Sequence, residues 1–374
     1  MNMKNNKEIL MDALSSVYIH IPFCRRICSY CDFCKFYYNN DLVDKYLSSL
    51  KKELSLKYKQ ELIKTIYIGG GTPSCLSFKQ LDKLFDIISI LNISNDIEFT
   101  FECNIEDINY NLLEFLKQKN VNRLSIGLQT FNKHLLKKLN RVYDNQAIEK
   151  IKLANTYFNT NVDLIYAIPG QTLDDLKHDL DILLSLDVNH ISCYSLIIEK
   201  HTKMFIDNIA PIKEELDLKM YQLICHKLKD YHHYEISNFS LNGFESKHNL
   251  VYWNNKHYYG FGLSSSGYID NIRYDNTRSI NHYLKGDYVL ENNKLTINEQ
   301  IENEFILGLR KINGINKNNF YNKYHISVND IDIVKKLLNN NMLIDDGINI
   351  YIPKDKIYIS NTILVNFLDI RYKK

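Results

Sequence analysis

The sequence predicts an α/β protein built on a parallel sheet, with a small α+β unit after it. Three observations carry that prediction. Apolar runs of strand character alternate with helical stretches from about residue 15 to 200, giving about six strand–helix units. Strands separated by helices join into a parallel sheet with the helices outside. The residues suited to chemistry fall at or just after the strand ends: the cysteines at 24, 28 and 31, Gly69-Gly70-Gly71, Glu102, Gln129 and the run 163–170. In parallel α/β folds, sites form at the carboxyl ends of the strands. The pattern then changes near residue 231 and again near 296. Alternation alone leaves a doubly wound sheet and a barrel open, and the recurrence of such residues at successive strand ends favours a barrel-type site.

The elements follow in order. Residues 17–21 read as a strand, and 41–58 as a helix with Leu42, Tyr46, Leu47, Leu50 and Leu54 on one face, the spacing of an amphipathic helix. A strand at 65–68 runs into the triple glycine, and Ser77 caps a helix over 77–91. Strands at 98–102, 123–127, 161–165 and 190–196 alternate with helices at 111–119, 145–158 and 172–185. Asp174 and Asp175 stand in the first turn of the last helix, where the dipole favours carboxylates. Residues 1–230 therefore make the barrel domain. Residues 231–295 are rich in Tyr, His, Asn and Gly without clean periodicity, and read as a loop-and-sheet extension covering the barrel. Helices at 298–309 and 330–339 precede a strand pair at 342–344 and 348–352, turned by Asp345-Asp346-Gly347. That composition suggests a winged-helix-like domain over 296–374.

The formal net charge of +2 argues for neither a nucleic-acid nor a membrane-surface partner. Residues 1–16 carry Glu8 and Asp12 and lack the apolar stretch of a secretory signal, and no window reaches the roughly 18 apolar residues of a membrane helix. The protein is expected in the cytoplasm. Of its eight cysteines, four lie at 24, 28, 31 and 34. Clustering in a reducing compartment points to ligation and not to disulfides.

Cys24, Cys28 and Cys31 sit on one loop after a strand. Thiolates are the natural ligands of an iron–sulfur cluster, and three of them leave one iron of a cubane open to chelate a small molecule. Zinc held by Cys24, Cys28, Cys31 and Cys34 is the alternative. Structural zinc usually draws two separated ligand pairs, and no second Cys or Cys/His pair stands at such spacing.

Cys-x3-Cys-x-aromatic-Cys after a strand resembles the signature of the radical S-adenosylmethionine superfamily. The resemblance implies a partial (β/α)6 TIM-like barrel and one [4Fe-4S] cluster on Cys24, Cys28 and Cys31. It also implies S-adenosylmethionine on the open iron, with Tyr30 near the adenine. Longer matches narrow it to proteins similar to oxygen-independent coproporphyrinogen III oxidase. These are Tyr18-Ile-His-Ile-Pro-Phe-Cys24, Gly69-Gly-Gly-Thr-Pro-Ser74, Ser125-Ile-Gly-Leu-Gln129-Thr-Phe131 and Asp163-Leu-Ile-Tyr-Ala-Ile-Pro-Gly-Gln-Thr172. By that resemblance Tyr18 contacts the cofactor, and Gly70, Gly71 and Thr72 form the loop receiving its amino group. Glu102 and Gln129 bind ribose hydroxyls or neighbouring polar groups, and Arg141 and Asp163 lie near the cofactor. Cys34 is expected to be a non-ligand, and Cys75, Cys103, Cys193 and Cys225 small core residues.

Two branches of that family differ in what they imply. The oxidases decarboxylate propionates to vinyl groups, and they carry a longer N-terminal extension and a Cys-x-Cys continuation that this chain lacks. Tyr234-Glu-Ile-Ser-Asn-Phe239 and His248-Asn249-Leu-Val-Tyr252-Trp253 resemble the haem-chaperone branch, where the second motif is associated with haem. An imidazole is a common haem ligand, and Tyr252 and Trp253 could stack on a porphyrin. The chain departs from relatives at Ser264–Ser266 and at Tyr143, where histidines are usual. The resemblance implies a haem chaperone that passes haem or a porphyrin to an acceptor protein, with an electron donor such as flavodoxin or ferredoxin. The oxidase and a radical enzyme acting on a non-porphyrin substrate remain alternatives.

Overall fold

The computed structural model describes residues 16–368; the reading of 1–15 as free of a secretory signal lies outside them. Six parallel strands follow the predicted order: β1 (Ser16–Ile21), β2 (Leu62–Gly70), β3 (Asn92–Asn104), β4 (Arg123–Gln129), β5 (Asn159–Tyr166) and β6 (His190–Ser195). Each pairs with its predecessor in sequence. The helices between them are α1 (Asn40–Lys57), α2 (Phe78–Ile88), α3 (Tyr110–Gln118), α4 (Ala147–Asn155) and α5 (Leu173–Leu184). Ser77 caps α2 in a reciprocal box with Gln80, as expected of that serine. Thr172 and Asp175 do the same for α5.

Strands β2 and β3 are longer than the apolar runs at 65–68 and 98–102. Their leading residues fall outside those runs, yet Leu62 pairs with Asn92 and Ile63 with Ile93 before the register shifts. The extension supplies three more strands to the same sheet. After α6 (Glu214–Lys227), β7 (His232–Glu235) and β8 (Asn238–Ser240) add antiparallel to β6, and β9 (Tyr259–Phe261) adds parallel to β1. Between β8 and β9 lies α7 (Lys247–Trp253), and a separate meander follows: β10 (Ser266–Ile269), β11 (Ile272–Asn276) and β12 (Val289–Lys294).

Side chains alternate across each strand. Ile66, Ile68, Phe99, Phe101, Leu124, Ile126, Val162, Leu164 and Ile191 face the helices in one apolar core. The other face is polar. Cross-strand register brings Tyr18, Tyr67, Thr100 and Arg123 into one row, and Glu102, Ser125, Asn161 and His190 into another. The barrel therefore has an apolar outside, covered by helices, and a polar lumen.

Glu53 of α1, fully buried, ties the extension to the barrel. Its carboxylate accepts from Lys57 Nζ (2.7 Å), Gly262 N (2.8 Å), Asn276 Nδ2 (2.6 Å) and the Tyr283 hydroxyl (2.6 Å). The C-terminal unit has its own core around Phe305, Phe320, Ile350 and Phe367. It runs α8 (Ile297–Gly308), β13 (Ile315–Asn316), α9 (Lys317–Tyr324), α10 (Asp332–Asn339), β14 (Ile344–Asp345) and β15 (Asn349–Tyr351), with β15 between β13 and β14. Helix–strand–helix–helix–strand–strand, with the outer strands flanking the last, is the winged-helix arrangement the sequence suggested. Among the described residues no helix is long and apolar enough to cross a membrane.

Candidate cluster and cofactor site

The cysteine loop is closed at its base by a short strand pair, Phe23–Cys24 with Phe36–Tyr37, in which Tyr38 N donates to Cys24 O at 2.9 Å. Its tip is fastened to the segment after β4: Ser29 N donates to Leu139 O (3.0 Å), Ser29 Oγ to Lys138 O (2.8 Å), and Asn140 Nδ2 to Ile27 O (2.8 Å). A loop so held presents its three thiols at fixed places. All three are free and line one cavity of about 500 Å3. Burial pushes the Cys24 thiol up to about 11 and raises that of Cys31 as well, so thiolate formation there needs a cation.

The residues fit an iron–sulfur cube. Three free thiols from one loop line a single cavity, and thiolates are the ligands such a cluster takes. A Cβ on Gly71 would lie 2.8 Å from Phe23 O, 2.9 Å from Phe23 N and 3.0 Å from Cys24 Sγ, so the backbone approaches the ligand loop as closely as glycine alone permits. Thr72 N donates to Phe23 O (2.8 Å), and Thr72 Oγ1 to Cys24 Sγ (3.5 Å). Arg141 Nη1 donates to Cys28 Sγ (3.5 Å) and Asn104 Oδ1 (3.0 Å). Cys34 turns away: its Sγ faces Arg278 O at 3.7 Å and lines a different cavity.

The cofactor residues named by resemblance gather on the same cavity. Gly70, Gly71, Thr72, Tyr30, Glu102 and Gln129 line it together with Arg141 and Asp163. Glu102 accepts from the Tyr67 hydroxyl (2.7 Å) and Gly70 N (3.0 Å). Burial raises its carboxyl to about 7; the Tyr67 hydrogen bond works against this and Asp163 adds to it. Asp163 is also raised by burial, against hydrogen bonds from Asn161 (2.8 Å) and Ser125 (3.2 Å). Gln129 follows a register shift in β4 and has φ +75°. A bulge with a left-handed residue re-aims a side chain, and such strain collects at functional sites. Tyr18 stands one strand over, its ring 6.1 Å from that of Tyr67 and its hydroxyl 3.0 Å from His20 Nδ1.

Sequence reasoning missed Tyr67, Asn104 and Arg123 in this cavity. The signal for Arg123 was present: an arginine on the same strand face as Ser125 and Gly127, next to apolar Leu124 and Ile126.

The histidine motif divides: Asn249 lines the cluster cavity, and Tyr252 and Trp253 do not. Helix α7 closes the amino-terminal end of the barrel, opposite the cluster loop. Glu98 accepts from the amides of Lys247 (3.0 Å) and His248 (2.9 Å) at the helix start. His248 is 1% exposed, with Nδ1 2.8 Å from Thr65 Oγ1 and Nε2 2.7 Å from the Tyr252 hydroxyl. Burial, then the charge of Arg123, push its pKa down to about 3. It is a neutral imidazole with both nitrogens engaged, and an iron reaches it only if one bond breaks. Tyr252 and Trp253 are not on the cluster cavity. They line a second cavity of about 380 Å3 with Tyr18, Cys34, Arg273 and Arg278. Asp32 and Phe33, which follow Cys31, line both cavities.

Comparison with known proteins follows the same lines. The Radical SAM superfamily profile matches residues 18–183. The chain is similar to the heme chaperone HemW of Lactococcus lactis, at 40% identity over 95% of this chain and 97% of that one. The heme chaperone HemW of Bacillus subtilis is 38% identical, over 95% and 99%. Among solved structures, coproporphyrinogen III oxidase (HemN) of Escherichia coli, a radical SAM enzyme, superposes with a TM-score of 0.83 over 95% of this chain and 90% of that one. At 20% identity, that likeness establishes the fold alone.

Proposed function

The chain belongs to the HemW-like family of radical S-adenosylmethionine proteins, and from that premise we propose that it is a haem chaperone, binding haem and passing it to an acceptor protein. The radical SAM domain implies a [4Fe-4S] cluster and S-adenosylmethionine. One observation carries the haem assignment: the second cavity joins aromatic side chains to guanidinium groups beside the cluster loop. Tyr18, Phe33, Tyr252 and Trp253 offer ring faces for a porphyrin, and Arg273 and Arg278 offer donors for its propionates. His248 acts through Tyr252, whose hydroxyl it holds; it is a positioning residue in this reading.

Cys24, Cys28 and Cys31 would hold the cluster, and Gly70, Gly71 and Thr72 would present backbone and hydroxyl groups to the cofactor's amino acid end. Glu102 and Gln129 would take its ribose or neighbouring polar groups, and Tyr30 would lie along its adenine. When bound and reduced, the cluster and cofactor supply a 5′-deoxyadenosyl radical. Arg141 holds Cys28 and the β3 end together, while Asp163 anchors the polar wall opposite. An electron donor such as flavodoxin or ferredoxin would serve the cluster, and the protein would work in the cytoplasm.

The test is anaerobic haem titration of the cluster-loaded chain, read in the Soret band, with release of 5′-deoxyadenosine assayed on the same sample. Trp253→Ala and Arg278→Ala each weaken haem binding under this reading. Haem that fails to bind, or binds unchanged in both variants, removes it.

A further inference from the structure

Arg123 is the largest fully buried side chain of the described protein, 2% exposed at the start of β4. A buried guanidinium is ordinarily paired. Among the described residues no hydrogen bond or ion pair holds this one, and its Nε has no partner. Its side chain lines the cluster cavity. Gly127 at the rim is four steps further along the strand, about 13 Å, so Arg123 lies at the floor while the cysteines stand at the mouth.

A second unmet group adjoins it. Thr100, directly across on β3, is fully buried and its hydroxyl has no partner either. Asn249 of the histidine motif lines the same cavity from the closing helix. The other charged or titratable groups near Arg123 are Asp163, Tyr67, His190, His248 and Tyr234. Asp163 is the single carboxylate among them, and its oxygens are engaged by Ser125 and Asn161. His190 is bound on both nitrogens, to Asn161 Oδ1 (2.6 Å) and the Tyr234 hydroxyl (2.8 Å).

We propose that Arg123 anchors an anion subsite at the barrel floor, which takes a carboxylate of a ligand reaching below the cofactor. The subsite is separate from the aromatic cavity and does not depend on the haem assignment. A buried guanidinium with an unpartnered donor favours a bidentate carboxylate. It selects for acids over their neutral amides, because an amide leaves the charge unmatched.

The test uses the cluster-loaded full chain under anaerobic conditions, with sodium propionate as probe. Thermal unfolding is followed against propionate, propionamide and sodium chloride at matched ionic strength. A ligand that binds the folded chain alone raises Tm with its concentration. The expected result is a saturable rise with propionate beyond that with chloride or propionamide, lost in Arg123→Met. Equal shifts with all three solutes overturn the proposal, as does a propionate rise retained in Arg123→Met. If that variant does not fold, the double variant Arg273→Ala/Arg278→Ala decides: a propionate rise that it retains lies outside the aromatic cavity, and a rise that it loses overturns the proposal.

Discussion

Replacing Glu102 by glutamine removes a carboxyl that lines the cluster cavity, and it should also remove a pH dependence of stability. Glu102 has an ordinary value of 4.5 and is raised to about 7 in the folded chain. Between those values the folded state holds a proton that the unfolded state has released, so stability falls as pH rises through the interval and levels off above about 7. A rise from 4.5 to about 7 corresponds to about 3 kcal/mol. This is an upper figure, because water in the cavity that Glu102 faces screens its charge. Glutamine imitates the protonated acid and keeps a carbonyl for Tyr67 or Gly70. The assay is urea unfolding of wild type and Glu102→Gln without cluster or cofactor, at a series of pH values. The difference between the two should be small near pH 4.5, grow in favour of the variant by up to about 3 kcal/mol by pH 7, and stay flat beyond. Taking the difference cancels the titration of groups remote from Glu102, while Asp163, whose charge helps raise Glu102, contributes to it. A difference independent of pH, or one favouring wild type as pH rises, would refute the reasoning. The same variant should bind S-adenosylmethionine more weakly, so stability and function part company at this residue.

Other consequences are as direct. Gly71→Ala places a methyl against Phe23 backbone and Cys24 Sγ; overpacking of this kind costs about 1–3 kcal/mol, and iron bound per chain after anaerobic reconstitution should fall. Cys34→Ser should keep the wild-type iron content and near-400 nm absorbance while Cys31→Ser loses both, since Cys34 lies on the other cavity. Glu53→Ala strips one acceptor from Lys57, Gly262, Asn276 and Tyr283 together. Breaking a buried ion pair from one side costs about 3–5 kcal/mol, so urea unfolding should show a loss of that order; a loss under 1 kcal/mol would mean the extension is held elsewhere.

What the sequence disclosed and what it hid divide along physical lines. The six parallel strands and their helices were legible because each buries an apolar face against a neighbour close in sequence, and Ser77 and Thr172 mark their helix starts locally. The cluster loop was legible because chemistry needs three thiols at fixed spacing. Strand β9 was not: its three residues, Tyr259-Gly260-Phe261, carry little periodicity, and their partner β1 lies some 240 residues earlier. The place of His248 was hidden for the same reason. Its motif resembles a haem motif, but only the chain's path reveals that Glu98 and Thr65 draw the helix into the barrel floor. Nor could the split between two cavities be read from Cys31-Asp32-Phe33-Cys34, where Cys31 lines one cavity, Cys34 the other, and the two residues between them both.

The polar lumen explains why those hidden features coexist with a stable fold. A barrel interior is ordinarily filled with branched apolar side chains. Here Thr65, Tyr67, Thr100, Glu102, Arg123, Ser125, Asn161 and Asp163 take the inward positions, and apolar burial against the helices on the outer face must carry the stability. Inward polar groups that pair with one another, such as Asn161 with His190 and Asp163 with Ser125, are satisfied without a ligand and serve as scaffold. Those that do not pair have no structural reason to be inside. Arg123 Nε and Thr100 Oγ1 belong to that second class, and both lie in one register row with Tyr18 and Tyr67. A lumen selected only for stability would have lost the arginine, because an apolar side chain of similar volume in its place would remove a buried, unmatched charge.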